Sequence, residues 1–141
     1  MKKYDLSIIV PLFNEEDSII DLYSEIKKAV IKNFTYELIF INDGSSDNSS
    51  GVIKQLIKED INIRLIDLFK NRGKAEALNS GFNLANGDIV VTLDGDLQDD
   101  PDEIPRLVNK INEGFDMVSG WKKNRKDPLS KIFPSKFFNY F

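Results

Sequence analysis

Apolar runs alternate along the chain with segments in which apolar residues recur every three or four positions. The runs are typical of buried β-strands, and the longer spacing is typical of helices that pack one face against a sheet. The resulting order, β-α-β-α-β-α-β, predicts an α/β fold with a doubly wound, mainly parallel sheet flanked by helices. The predicted strands are 6–10, 36–41, 61–68, 88–93 and a short fifth strand at 115–119, and helices are predicted after Asn14, around 52–57, over 74–85 and over 102–113.

Helical spacing also predicts which side chains face the sheet. In the first helix, which Asn14 is predicted to cap, the inward positions are Ile19, Tyr23, Ile26 and Val30. In the third helix they are Ala75, Leu78, Phe82 and Ala85, and Asn86–Gly87 is predicted to end that helix in a left-handed glycine cap.

Each of the first four predicted strands ends in a polar cluster. The clusters are 11–15, 42–45, 69–74 and 94–96. In parallel sheets of this kind, ligands bind at the carboxyl ends of the strands, and the topology places all four clusters on one edge. The sequence therefore predicts a single binding site made from four loops.

The sequence Asp94-Gly95-Asp96 follows an apolar run and carries the most specific chemistry. Alternate residues of an extended segment point the same way, so both carboxylates can face one ion. The chain has no histidine and no cysteine, so a metal here needs oxygen ligands, which favours Mg²⁺ or Mn²⁺. Such an ion can neutralise the charge on a departing nucleoside diphosphate. The alternative is a polar turn with an aspartate cap.

The other three clusters each have a binding interpretation and a structural one. Pro11 and Phe13 can lie against a base while Glu15 accepts from ribose hydroxyls, or this segment is an acidic helix start. Asp43 can accept from a nucleobase N–H, or it belongs to a common Asp-Gly turn. Lys74 can meet a diphosphate at a helix N-terminus, or it lies in a solvated basic loop. Neither a P-loop nor a Gly-x-Gly-x-x-Gly motif occurs, which argues against a dinucleotide-binding domain.

Charge is divided unevenly between a domain predicted over 1–121 and a tail predicted over 122–141. The first segment carries 13 basic and 22 acidic residues, whereas the tail carries six basic residues and one acidic residue. Phe133, Phe137 and Phe141 would form one stripe on a helix, which is typical of an interfacial helix on an anionic membrane. Alternatively, the stripe packs on another part of the protein.

No segment is long enough to span a membrane, so the protein is predicted to be cytoplasmic and peripheral to the inner face of the membrane, with no nucleic-acid partner.

Taken together, the four clusters resemble the inverting family-2 glycosyltransferases with the Rossmann-like GT-A fold. Pro11–Glu16 resembles the opening motif of that family, Asn42–Ser45 its nucleobase-reading motif, Asn71–Asn79 the loop and helix that follow, and Asp94–Asp96 the metal-binding Asp-x-Asp motif. The continuation Leu97–Pro101 is similar to the polyprenyl-phosphate branch, which includes the dolichyl-phosphate mannosyltransferase and bactoprenol glucosyltransferase type. The resemblance runs from about Leu6 to Arg125.

The resemblance implies roles for single positions on the donor side. Pro11, Phe13 and Glu15 would line the nucleoside pocket, with Asp43 on the base. Lys74 would lie near the base or the diphosphate. These residues are the predicted donor-binding set, together with Asp94.

On the metal and acceptor side, the resemblance implies that Asp94 contacts the ribose or the metal shell and that Asp96 is the direct metal ligand. Gln98 would lie near the sugar and the acceptor phosphate, and Arg125 would meet that phosphate. Asp96, Gln98 and Arg125 are therefore the predicted catalytic residues. Lys122 stands where this branch usually has an arginine.

The implied activity is metal-dependent transfer of a hexosyl group from a UDP- or GDP-sugar to a polyprenyl phosphate, with inversion, in cell-envelope biosynthesis. One alternative is a capsule or lipopolysaccharide transferase with a sugar acceptor. Family members continue with an acceptor segment and membrane-interface helices, so this chain is predicted to be truncated. A nucleotide-binding module without turnover is thus a second alternative, and exposed apolar surface would favour self-association into a homo-oligomer.

Overall fold

The computed structural model describes residues 4–120, which divide into two compact units at Ile104 and Pro105. The strands are β1 (Tyr4–Leu12), β2 (Tyr36–Asp43), β3 (Ile63–Leu68) and β4 (Gly87–Thr92), and the helices are α1 (Ile19–Val30), α2 (Ser49–Glu59), α3 (Lys74–Leu84) and α4 (Ile104–Asn112), with a short 3₁₀ turn at Pro101–Glu103. The tail predicted over 122–141, with its amphipathic stripe, lies outside the described residues. The domain boundary placed at 121 therefore stays a prediction.

All four strands are parallel and lie in the order β3-β2-β1-β4. Leu6 of β1 is in register with Tyr36 of β2 on one side and with Ile89 of β4 on the other. The predicted α/β fold with a mainly parallel sheet is confirmed. From β1, the chain adds β2 and then β3 on one side of the sheet. It then crosses back over β2 and β1 and adds β4 on the other side of β1. Right-handed crossovers therefore place α1 and α2 on one face of the sheet and α3 on the other.

The two central strands form the core. All eight residues of β2 are buried, as parallel strands covered on both faces require. On the α3 face, Ile9, Ile39 and Ile41 form a buried cluster with Ala77. A Cβ on Gly81 would lie 2.6 Å from a methyl group of Ile9, so α3 approaches the sheet closely because its contact residues are small.

Three helix predictions were wrong in detail. Ala75 and Phe82 are exposed, because the fully buried face of α3 is formed by Ala77 and Gly81, with Leu78 and Leu84 packed beside it. In α1, Leu22 is buried in place of the predicted Tyr23, whereas the other three predicted positions are buried as expected. Gly87 does not cap α3 but begins β4, where a Cβ would lie 2.4 Å from the backbone nitrogen of Ser7.

The first helix also begins later than predicted. It starts at Ile19, and Asn14 belongs to the preceding loop with a positive φ of 53°. The predicted fifth strand is absent from the described residues, since 115–120 form neither a strand nor a helix. Phe115 and Met117 are exposed there, so their alternation does not mark a strand face. Among residues 4–120, no strand lies beside this segment to supply the hydrogen bonds that a fifth strand would need.

Candidate functional site

A cavity of about 360 Å³ opens at the carboxyl edge of the sheet, in the size range of small-molecule sites. It includes the ends of β1 and β4, which is where the strand order reverses and where ligands bind in open α/β sheets. The lining residues are Pro11, Leu12, Phe13, Glu15, Asp43, Asn71, Gly73, Lys74, Asp94, Gly95 and Asp96. The structure thus brings together the whole predicted donor-binding set and Asp96.

The loop after β4 holds the Asp94-Gly95-Asp96 motif in a fixed shape. The backbone N–H of Asp94 donates to Oδ2 of Asp99 at 2.7 Å, and the N–H of Gln98 donates to Oδ1 of Asp96 at 3.1 Å. A Cβ on Gly95 would lie 2.9 Å from Cβ of Leu12. Glycine is therefore needed because the motif packs directly against β1, a reason that the sequence did not show.

The two carboxylates of this motif differ in their surroundings. Asp94 forms an ion pair with Lys74, the first residue of α3. Asp96 is exposed and lies close enough to Glu15 to act on its charge. Burial, opposed by a hydrogen bond from Ser18 and reinforced by repulsion from Asp96 and Asp47, raises the pKa of the Glu15 carboxyl. The cavity therefore concentrates negative charge that a cation can relieve.

A divalent cation fits this arrangement only as one shared with a ligand. In residues 4–120, no group of three or more acidic side chains is placed to enclose a metal. Asp94 and Asp96 nevertheless offer oxygen donors one residue apart at the cavity wall. Mg²⁺ is commonly held by one or two carboxylates plus substrate phosphates and water rather than by a full protein cage. The donor set is consistent with that mode of binding.

Asp43 has a structural role that the sequence did not reveal. It is 4% exposed, and its two carboxylate oxygens accept from the backbone N–H groups of Arg72 and Gly73 at 2.8 and 3.0 Å. Gly73 has a φ of 95° and directly precedes α3. Asp43 thus shapes the loop that presents Lys74 to the cavity.

Sequence reasoning missed four contributors. Leu12, Asn71 and Gly73 line the cavity, and Asp99 fixes the amide of Asp94. Asp99 belongs to the run Leu97–Pro101, which the sequence analysis used only for its similarity to the polyprenyl-phosphate branch. Its hydrogen bond within the loop was not predicted. Within the same run, Asp100 accepts from the N–H of Asp102 and so caps the following 3₁₀ turn. Gln98 is exposed and is not among the cavity-lining residues, and Arg125 lies outside the described residues.

Over residues 4–120, the helices are too short or too polar to cross a membrane.

Known proteins share this fold. The fold, with its acidic cavity at the switch point of the sheet, is of the GT-A class. The model of "Glycosyl transferase family 2" matches residues 7–141, and the chain belongs to this family. The predicted family and fold are confirmed.

Among curated proteins, the chain is 42% identical over 136 residues to the undecaprenyl-phosphate 4-deoxy-4-formamido-L-arabinose transferase of Proteus mirabilis. The match covers 95% of this chain but 42% of that protein, so the chain spans about two fifths of the length of the curated relatives it matches.

Two solved structures have the same fold. The mannosyltransferase PcManGT from Pyrobaculum calidifontis, in complex with GDP-Man and Mn²⁺, superposes with a TM-score of 0.68 at 24% identity, covering 82% of this chain and 34% of that one. The glucosyl-3-phosphoglycerate synthase of Mycobacterium tuberculosis, in complex with Mn²⁺, UDP and glucosyl-3-phosphoglycerate, gives 0.61 at 26%, covering 77% and 39%.

Proposed function

We propose that this chain forms the donor-binding domain of an inverting, metal-dependent glycosyltransferase that moves a sugar from a UDP- or GDP-sugar to a polyprenyl phosphate. The observation that carries the proposal is the single cavity lined by all six predicted donor-binding residues and by Asp96. The undecaprenyl-phosphate transferases among its relatives support the choice of acceptor.

The cavity residues divide into a nucleoside end and a diphosphate end. Phe13 is 47% exposed beside the cavity and offers an apolar face to a base, with Glu15 and Asp43 as hydrogen-bond acceptors for the nucleoside. Lys74 lies at the N-terminus of α3, where its ammonium group and the positive end of the helix dipole both favour a diphosphate. The donor would therefore lie with its base towards β1 and β2 and its diphosphate towards Lys74.

Asp96 and Asp94 would hold the cation at the diphosphate end. Bound there, Mg²⁺ or Mn²⁺ would supply charge neutralisation for the departing diphosphate. When the diphosphate takes over the charge of Lys74, Asp94 is released from its ion pair. Both carboxylates of the motif line the cavity, where the cation would meet them.

The transfer itself forms a bond between the acceptor oxygen and the anomeric carbon. The bond from that carbon to the diphosphate oxygen breaks on the opposite face, and its electron pair leaves with the nucleoside diphosphate. A polyprenyl phosphate is already ionised at neutral pH, so its oxygen needs no general base. Gln98 and Arg125 are the residues proposed to lie near this acceptor phosphate.

Donor binding is tested by thermal unfolding with a panel of UDP- and GDP-sugars, with and without Mn²⁺. A true donor at a hundredfold excess over its Kd should stabilise the protein by about 2.7 kcal/mol in the presence of the metal. Asp96→Ala should abolish the metal-dependent part of that shift. Asp17→Ala, which removes the same charge from an exposed loop residue that does not line the cavity, should retain it.

An unchanged metal-dependent shift in Asp96→Ala would show that Asp96 does not hold the cation. The acceptor needs a separate assay, in which radiolabelled sugar is followed into undecaprenyl phosphate or into a free oligosaccharide. Label only in the oligosaccharide would contradict the lipid-phosphate acceptor while leaving the donor site intact.

A further inference from the structure

The loop between β1 and α1 and the loop between β2 and α2 are joined by reciprocal hydrogen bonds. The backbone N–H groups of Asn14 and Glu16 donate to the side chains of Ser45 and Asp47 in the second loop, at 2.9 and 3.2 Å. The N–H of Glu15 donates to Ser49, the first residue of α2, at 3.1 Å. In return, the N–H groups of Ser46, Asp47 and Asn48 donate to side chains of the first loop, at 2.8, 3.3 and 3.0 Å. Six backbone groups that lie outside regular structure are satisfied in this way.

Asn14 is the centre of this contact. Its side-chain oxygen accepts from the N–H groups of both Ser46 and Asp47, and its own N–H donates to Ser45. It does so from the left-handed region, at a φ of 53°, which asparagine tolerates better than most residues. With the Ser46 hydroxyl, which donates to the same oxygen at 3.3 Å, one residue combines an unusual backbone conformation with four hydrogen bonds to the neighbouring loop.

The position of Asn14 in the chain connects this contact to the cavity. Asn14 is not among the lining residues, but the residues on either side of it, Phe13 and Glu15, both line the cavity. On the other loop, Asp43 lines the cavity two residues before Ser45. The contact therefore sets the distance between the two walls that face the nucleoside end of the proposed donor.

We propose that Asn14 is a positioning residue for the donor, which holds Phe13 and Glu15 opposite Asp43 by accepting hydrogen bonds from the β2–α2 loop. This inference rests on the proposed function, because the nucleoside diphosphate is the ligand that the two walls would enclose. Asn14 acts through the loops and need not touch the ligand itself.

Three substitutions separate the two properties of Asn14. Asn14→Gly keeps the left-handed backbone accessible but removes the acceptor oxygen. Asn14→Asp keeps an acceptor oxygen and a side chain that tolerates this backbone region. Ser46→Ala removes only a hydroxyl contact of 3.3 Å to Asn14 and keeps the backbone N–H that donates at 2.8 Å, so it serves as the matched control.

The experiment combines amide hydrogen exchange at Ser46 with calorimetric binding of UDP and GDP, far below the unfolding temperature of every variant. In Asn14→Gly, exchange at Ser46 should accelerate and the Kd for the nucleotide should rise about tenfold or more. In Asn14→Asp and Ser46→Ala, the Kd should stay within about threefold of the wild-type value.

Each other outcome has a distinct meaning. Faster exchange in Asn14→Gly with an unchanged Kd would overturn the positioning role and leave only a structural contact. Unchanged exchange would show that the amide oxygen does not hold the second loop. A wild-type protein that binds neither nucleotide would instead overturn the proposed function, and with it the ligand that Asn14 is proposed to serve.

Discussion

Carboxylates lie at opposite edges of the same sheet, and their surroundings treat the negative charge in different ways. At the amino edge, Glu37 is fully buried and accepts from the Ser7 hydroxyl and the Asn86 N–H, both at 2.6 Å, and from the Arg64 guanidinium at 3.2 Å. At the carboxyl edge, Asp96 is exposed and raises the pKa of its neighbour Glu15 by repulsion, in addition to the larger effect of burial.

A structural carboxylate can be distinguished from a ligand-binding one by whether the protein itself supplies its hydrogen-bond donors and its opposite charge. Glu37 ties β1, β2, β3 and the start of β4 together, since Ser7 in turn accepts from the N–H of Gly87 and Arg64 also donates to the carbonyl oxygen of Leu84. A buried charge persists only when it is paired and hydrogen-bonded. In the cavity, Glu15 and Asp96 instead repel each other, and a bound cation would offset that repulsion.

The strongest test of this contrast is to remove one carboxylate from each edge. Glu37→Ala should reduce the free energy of unfolding by about 3 kcal/mol, because the buried Ser7 hydroxyl and two partly buried donors, the Asn86 N–H and the Arg64 guanidinium, lose their acceptor. Asp96→Ala should change it by less than about 0.5 kcal/mol, because the side chain is exposed. Urea denaturation of both variants measures the two values.

The contrast between the edges would fail if Glu37→Ala and Asp96→Ala were equally stable. It would also fail if the loss of Glu37 reduced nucleotide binding in protein that remains fully folded, since the amino edge would then contribute directly to the site.

A second test concerns how tightly the amino edge is packed. A Cβ on Gly87 would lie 2.4 Å from the nitrogen of Ser7, where only movement of the backbone can relieve the overlap. Gly87→Ala should therefore destabilise the protein by about 1–3 kcal/mol, as measured by thermal unfolding. Gly120→Ala is the control, because no atom of residues 4–120 lies within 4 Å of its Cβ position. Equal unfolding temperatures for the two variants would show that β1 and β4 can separate without cost.

The smallest expected effect is the pH dependence of the carboxyl edge. Burial, with a smaller contribution from Asp96, raises the pKa of Glu15 above its ordinary value of 4.5, so the folded protein holds this proton more tightly than the unfolded chain. The contribution of Glu15 to stability is therefore present below pH 4.5 and is lost as the pH rises through its raised pKa. Compared with Glu15→Gln, the wild type should lose stability over that interval, as measured by urea denaturation at a series of pH values.

Asp47 provides the control of opposite sign. Burial alone would raise the pKa of Asp47, but hydrogen bonds from the Ser49 hydroxyl and from the N–H groups of Ser49 and Glu16 outweigh it, so the pKa lies below 3.8. Its contribution is present above pH 3.8 and is lost as the pH falls through its lowered pKa. Asp47→Asn should therefore abolish the loss of stability that this carboxylate causes below pH 3.8. The two assignments would be contradicted if the stability of the wild type changed in the same direction with pH in the Asp47 interval and in the Glu15 interval.

Periodicity and strand ends are local properties, and they predict the α/β class and seven of the eleven residues that line the cavity. Four apolar runs separated by helical patterns predict a parallel sheet, and such a sheet gathers its strand ends at one edge. Pro11, Phe13, Glu15, Asp43, Lys74, Asp94 and Asp96 all follow from that rule, and the structure places all seven around one cavity. The predicted catalytic roles of Asp96, Gln98 and Arg125 stay predictions.

The strand order, the hydrogen-bond partners of each carboxylate and the need for glycine at positions 81, 87 and 95 follow from long-range packing. Glu37 occurs in the sequence as one polar residue within an apolar run, and its partners come from positions 7, 64 and 86. Asp43 and Asn14 likewise bind loops that are about 30 residues away along the chain. Hydrogen bonds between such distant residues depend on which strands become neighbours, and local spacing carries no information about that.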